Sequence, residues 1–166
     1  MFRILLSILL LRRGPEDLPA APRLLQEMIV LNIITGILVL SAHYEISTSI
    51  SSTLLDLALS LAFAWLLLVM LKLPLRFVQT AAAICGTGAL FHLLSWPFLI
   101  VGEDAGQSLQ NAIWIVMLLL TSWELLVVAH IFRRAIESGM ASAIALSFAL
   151  FMISITVSQL LFSGAS

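Results

Sequence analysis

Residues 112–134 read AIWIVMLLLTSWELLVVAHIFRR, an apolar run that ends on two arginines and holds one acid, Glu124, near its middle. About 20 predominantly apolar residues cross the hydrocarbon core of a bilayer as a helix. Four more runs of this kind lie at about 24–42, 53–71, 77–101 and 140–161. Only 10% of the residues are charged and 61% are hydrophobic, whereas a soluble domain has about 25% charged residues. A chain this apolar cannot cover a water-facing surface, so lipid must be its main solvent. The expected fold class is all-α: a polytopic membrane bundle of five transmembrane helices (about 24–42, 53–71, 77–101, 112–132 and 140–161) behind a short N-terminal interfacial helix.

Residues 1–11 (MFRILLSILLL) are apolar but too few to span alone. Arg12 and Arg13 follow directly and no small-x-small cleavage site appears, which argues against a signal peptide. The stretch reads as a helix lying at the inner membrane surface; an apolar tail packed on the bundle is the alternative. Residues 14–23 (GPEDLPAAPR) hold three prolines and a glycine, so they form a connector. The expected organisation is therefore residues 1–23 as interfacial helix and Pro-rich connector, then 24–166 as the transmembrane domain. Residues 46–53 (ISTSISST) and 102–111 (GEDAGQSLQN) are expected to be external loops. Pro97 is expected to kink its helix.

Charge placement supplies an orientation. The eight basic residues are Arg3, Arg12, Arg13, Arg23, Lys72, Arg76, Arg133 and Arg134. With five spans all of them fall on one side, while Glu45, Glu103 and Asp104 fall on the other. Cytoplasmic segments carry the Lys/Arg excess. The expected localisation is integral to the membrane, in a bacterial inner membrane, with the N-terminus cytoplasmic and the C-terminus outside.

A helix rises about 1.5 Å per residue, so distance from these basic residues measures depth. Glu124, nine residues before Arg133, lies roughly 13 Å into the membrane. Asn32 and Cys85 fall at a similar depth. An acid there is expensive, and it is by default a functional hypothesis with a named partner. Asn32 is the first expected partner and Thr121, one turn earlier on the same face, the second. Low dielectric favours the neutral acid. Two roles stay open: proton or substrate handling, and a structural tie between helices. His92 sits in the outer half of its helix, roughly 10 Å above Glu124 and too far for direct contact. Glu27, Gln79 and His130 form a polar layer near the inner interface, where Glu27 and His130 are placed to pair. Asp56 is expected to cap its helix or meet the loop. Trp96 and Trp114 suit an interfacial aromatic belt, and Trp65 and Trp123 read as packing residues. Ala81, Cys85 and Ala89 fall four apart, as do Ala82 and Gly86, a spacing at which small residues let helix backbones approach in lipid. A second such face, rich in hydroxyls, joins Ala141, Ala145, Ser147, Ala149, Ser154 and Ser158.

The catalytic templates are absent: no His-Glu-x-x-His, nucleophile elbow or phosphate-cradling glycine loop. The lone Cys85 cannot form an intrachain disulfide or a Cys-rich metal site. The expectation is no enzyme, no catalytic residue, no cofactor, no metal and no nucleic-acid partner. Arg12, Arg13 and Arg23 would favour anionic lipid headgroups.

Residues 24–162, with their cytoplasmic N-terminal segment, five closely spaced spans and outside C-terminus, resemble the YIP family in layout. That family's Asp-Leu-Tyr-Gly-Pro motif is absent; the nearest stretch is Glu16-Asp17-Leu18-Pro19. The resemblance implies a non-enzymatic membrane organiser acting through partner contacts. The leading functional expectation is a membrane scaffold or accessory subunit, contacting a membrane-protein partner or a second copy through the small-residue faces of the third and fifth spans. The alternative is a small proton-coupled transporter or channel subunit using Glu124.

Overall fold

A computed structural model describes residues 2–103 and 106–162. Six helices follow in order: α1 (Phe2–Leu9), α2 (Pro22–Leu40), α3 (Ile46–Met70), α4 (Phe77–Glu103), α5 (Gln107–Ile136) and α6 (Met140–Phe162). The last five are long and apolar enough to cross a membrane, and the protein is an integral membrane helix bundle. Asp104, half of the acidic pair expected in the second external loop, and the C-terminal residues 163–166 lie outside the described residues.

The expected external loop at 46–53 is instead the first two turns of α3. Serine and threonine are poor helix formers in water because they compete for backbone groups. In lipid every backbone polar group must be satisfied within the segment, which favours helix whatever the propensity. The hydroxyls are themselves satisfied within the helix: Ser49 Oγ donates to Glu45 C=O at 3.0 Å and Ser51 Oγ to Ser47 C=O at 2.9 Å. The loop at 102–111 shortens likewise, since α4 continues to Glu103 and α5 begins at Gln107.

Helix α4 is the hub. It packs on α1, α2, α3 and α5, and residues 80–87 are buried without interruption. A helix enclosed on all sides needs small side chains. A Cβ on Gly86 would lie 2.7 Å from Leu5 Cδ2, and one on Gly88 would lie 2.8 Å from Asn32 Nδ2. The small face of Ala81, Cys85, Gly86 and Ala89 is therefore spent inside this fold: all four are buried, beneath α1 and α2. This corrects the expectation that the third span offers that face to a lateral partner.

The N-terminal segment takes the placement named as the alternative: helix α1 is packed on the bundle, against α4 and α5. Leu5, Ile8 and Leu9 are buried, an i, i+3, i+4 face, and join a core with Leu24, Ile84, Val127, Ile131 and Phe132. Leu18 of the connector joins the same core. Trp123 Nε1–H donates to Leu9 C=O at 3.1 Å, satisfying a carbonyl at the open end of α1. Leu11, with φ 59°, turns the chain out of the bundle. His130 Nε2 meets Arg13 C=O at 2.9 Å; a carbonyl only accepts, so Nε2 carries the proton. Gln79 Nε2 donates to Leu18 C=O and Glu16 C=O. Arg134 pairs with Glu16 across the same end.

The end of the bundle that holds the basic residues is thus stitched shut. Arg76 Nη1 donates to Ala135 C=O at 2.8 Å and Nη2 to Glu137, so one guanidinium closes the C-terminal end of α5. Trp123 packs edge-on to Phe91 as a core aromatic, and Trp65, 45% exposed, packs edge-on to Phe77.

Candidate functional site

Toward the opposite end the five spans part around a cavity of about 720 Å³. Each wall is one helix face at helical spacing. Helix α2 supplies Asn32, Gly36, Val39 and Leu40; α3 supplies Thr48, Ser52, Thr53, Asp56 and Ser60; α4 supplies His92. Helix α5 supplies Thr121, Glu124, Leu125 and Val128, and α6 supplies Ser147, Leu150, Phe151, Ser154, Ile155, Ser158 and Gln159. Tyr44, in the turn between α2 and α3, stands at the far mouth and is 60% exposed. The floor at the level of Asn32, Val128 and Ser147 rests on the core that includes α1.

Four of the intramembrane candidates from the sequence, Glu124, Asn32, Thr121 and His92, line this one cavity. The expected hydrogen bonds between them do not form. Asn32 Nδ2 donates to Cys85 C=O on α4 at 3.2 Å. Its side chain therefore ties α2 to α4 through the gap that Gly88 leaves. Among the described residues Glu124 has no hydrogen-bond partner, neither Asn32 nor Thr121. The carboxyl does not tie helices together; it faces the cavity.

His92 lies on the opposite wall from α5. Thr35 Oγ1 has one hydrogen, which it gives to Leu31 C=O at 2.8 Å. The 3.2 Å contact between Thr35 Oγ1 and His92 Nδ1 is therefore imidazole Nδ1–H donating to the hydroxyl. His92 is fixed as a tautomer whose Nε2 is a lone-pair acceptor. Asp56, expected from sequence to cap its helix or meet the loop, sits on the cavity wall within electrostatic reach of both His92 and Glu124. Thr53 is 5% exposed, and its Oγ1 is the buried side-chain polar atom without a partner among the described residues. It lies against Gly36, where a Cβ would meet Thr53 Cγ2 at 2.8 Å and His92 Cε1 at 3.3 Å. Gly36 is what allows α2, α3 and α4 to converge here.

Sequence reasoning places Asp56 and Thr53 on the second span but not on a cavity wall, and it misses Thr48 and Ser52 because their segment reads as a loop. A signal is present: Thr48, Ser52, Asp56 and Ser60 fall four apart, a polar stripe down an apolar helix. The hydroxyls of α6 stand out in the sequence, but as a lateral packing face. In the structure Ser147, Ser154 and Ser158 face the cavity, while Ala141 and Ala145 point outward.

The expected inner polar layer does not assemble. Glu27 pairs with Arg23 at 3.2 Å on the exposed side of α2, a contact worth little. His130 and Gln79 instead hold the N-terminal segment. A second hollow of about 460 Å³ lies there, lined by Glu16, Arg76, Gln79, Arg133, Arg134 and Glu137 among others. Two of its three arginines are already paired with its carboxylates. Among the described residues no three of His, Cys, Asp and Glu are grouped to hold a metal ion.

The fold and cavity define a class, a small five-span membrane protein with a polar chamber walled by every span. No protein-family model, curated protein or solved structure matches the chain.

Proposed function

We propose that this protein is a small proton-coupled membrane transporter or channel subunit, and that the cavity is its solute path. The observation that supports this most is Glu124: an acid deep in the bundle that faces a 720 Å³ chamber with no protein partner among the described residues. A structural tie would spend its carboxyl on a neighbouring helix. A transport acid keeps it free to exchange a proton for a solute. The chamber volume is in the range of small-molecule sites. On this reading the chain is not an enzyme. Its basic end faces the cytoplasm of a bacterial inner membrane, the cavity opens outward past Tyr44, and exposed Arg12, Arg13 and Arg23 meet anionic headgroups. The closed cytoplasmic end and open outer end make this an outward-open arrangement.

The test uses Glu124→Gln, which keeps the shape and cannot ionise. In proteoliposomes with a trapped pH dye, wild-type protein is expected to move protons when a coupled solute is added. E124Q is expected to lose at least about tenfold of that rate while eluting as wild type, since one ionic contact to a bound group is worth about 1.5–3 kcal/mol. Full activity of E124Q would sink the transport reading. A YIP-like scaffold would tolerate the change, provided that the bundle assembles.

Access is tested separately. Thr48→Cys and Ser158→Cys should react with a membrane-impermeant thiol reagent added from outside, while native Cys85, 1% exposed, should not. Labelling only from the cytoplasmic side would reverse the orientation.

A further inference from the structure

The class of solute rests on the transport reading and is narrowed by the lining of the cavity. The cavity's formal charges are one-sided. Among the described residues no lysine or arginine lines it, and two carboxylates do, Asp56 and Glu124. Some donors that border it are spent, whereas hydroxyls such as Thr48, Ser52, Ser60 and Thr121 can still donate as well as accept, so the preference for a cation rests on the two carboxylates. Asn32 N–H is committed to Cys85 C=O, and Ser147 O–H donates to Ile144 C=O at 3.0 Å. Imidazole Nδ1–H of His92 is committed to Thr35. What these groups still present to the chamber is lone pairs: His92 Nε2, the serine oxygen and both carboxylates. Thr53 Oγ1 adds an independent sign. It is a buried hydroxyl oxygen on the same wall with no partner among the described residues, and such groups are normally satisfied. An occupant with a hydrogen-bonding group would satisfy it, and a donor would use its lone pairs.

The rest of the wall decides the body of that occupant. Val39, Leu40, Leu125, Val128, Leu150 and Ile155 alternate with the polar groups. A bare inorganic cation needs a tight cage of oxygens, not a wide chamber of about 720 Å³ with aliphatic groups between its polar ones. We propose that the cavity binds a small organic ammonium: a primary or secondary amine, protonated, on an apolar body. The ammonium group sits between Asp56 and Glu124 and donates to Thr53 Oγ1, and the body lies on the aliphatic wall. An anion would meet two carboxylates with no compensating cation. A neutral alcohol would gain only ordinary hydrogen bonds, weaker than charge-assisted ones.

The experiment measures equilibrium binding to the full-length protein in mild detergent with three probes of one body: 2-phenylethylamine, 2-phenylethanol and 3-phenylpropionate. Saturable binding of the amine alone is expected, weakened about tenfold or more by Asp56→Asn and by Glu124→Gln. Thr53→Val keeps the shape, removes the oxygen, and is expected to weaken amine binding severalfold. Asp56 is exposed and makes no hydrogen bond or ion pair among the described residues, so D56N remains informative if E124Q fails to assemble. Equal binding of the alcohol or the carboxylate overturns the proposal, as does amine binding unchanged in D56N and T53V, or no saturable amine binding at millimolar concentration. The outcome is separable from the transport reading. Glu124-dependent flux of an anion or a neutral solute would uphold transport and overturn the ammonium class. Specific amine binding without flux would uphold the class and overturn transport.

Discussion

Ile8→Asp is expected to unseat α1 and lower the stability of the whole bundle. Ile8 is 0% exposed, between Leu5 and Leu9 on the face that α1 turns to α4 and α5. An aspartate at the centre of a membrane helix costs about 3 kcal/mol on insertion scales. Losing the buried isoleucine removes a further ~2 kcal/mol. The chain escapes the penalty by releasing α1, and then Trp123 loses its carbonyl acceptor at Leu9 and His130 its acceptor at Arg13. A lower midpoint of thermal unfolding in detergent, with new protease cleavage before residue 20, is the expected record. Ile8→Leu conserves volume and should cost less than about 1.5 kcal/mol. A surface-lying α1 would behave otherwise, since its apolar face would meet only lipid. An I8D protein with wild-type melting and wild-type protease resistance would mean that α1 is not part of the core.

Gly36→Leu is expected to be the most damaging single change at the cavity. The first side-chain carbon alone would stand 2.8 Å from Thr53 Cγ2 and 3.2 Å from its oxygen. Those atoms belong to a buried residue on a rigid helix, so they have little room to give way. Overpacking of this kind costs about 1–3 kcal/mol, and a leucine should reach the upper part of that range. The added carbons would also displace His92 from Thr35 and fill the chamber that Gly36 borders. The measurement is paired: the melting midpoint falls, and solute-driven proton movement is lost even in the fraction that still elutes as folded. Gly36→Ala separates the two effects, because it adds only the clashing carbon and leaves most of the chamber open. If G36L retained both stability and flux, α2 and α3 would not meet at this point.

These two positions show where sequence reading stops. The spans are readable because each is a local property: about 20 apolar residues, ended by charge, proline or glycine. The face of α1 is also readable, with Leu5, Ile8 and Leu9 on one side. What that face docks against is not. In lipid an amphipathic helix has two outlets, the membrane surface and a groove in the bundle, and α1 itself does not distinguish them. The groove comes from Gly86 and its small neighbours, far along the chain from α1.

The candidate site divides in the same way. Depth counting places Glu124 level with Asn32, and both line the cavity. Hydrogen bonds do not follow from depth, because they depend on rotation of each helix about its axis. Asn32 finds a backbone carbonyl of α4 instead of the acid, leaving Glu124 free. Residues 46–53 mislead for a different reason. Propensity scales describe water, where serine and threonine have other ways to satisfy the backbone. Extending α3 through them carries Thr48 and Ser52 onto the cavity wall beside Thr53 and Asp56.

The sequence by itself determined that this chain is an integral membrane protein of five helices long and apolar enough to cross. Hydrophobic length and charge placement are additive along a chain and need no partner. Only the tertiary structure decided that α1 closes one end, that the small residues of α4 are consumed within the fold, and that Glu124 looks into a shared polar space. Each of those depends on which faces of separate helices meet, and packing between faces is a property of pairs that no single stretch contains.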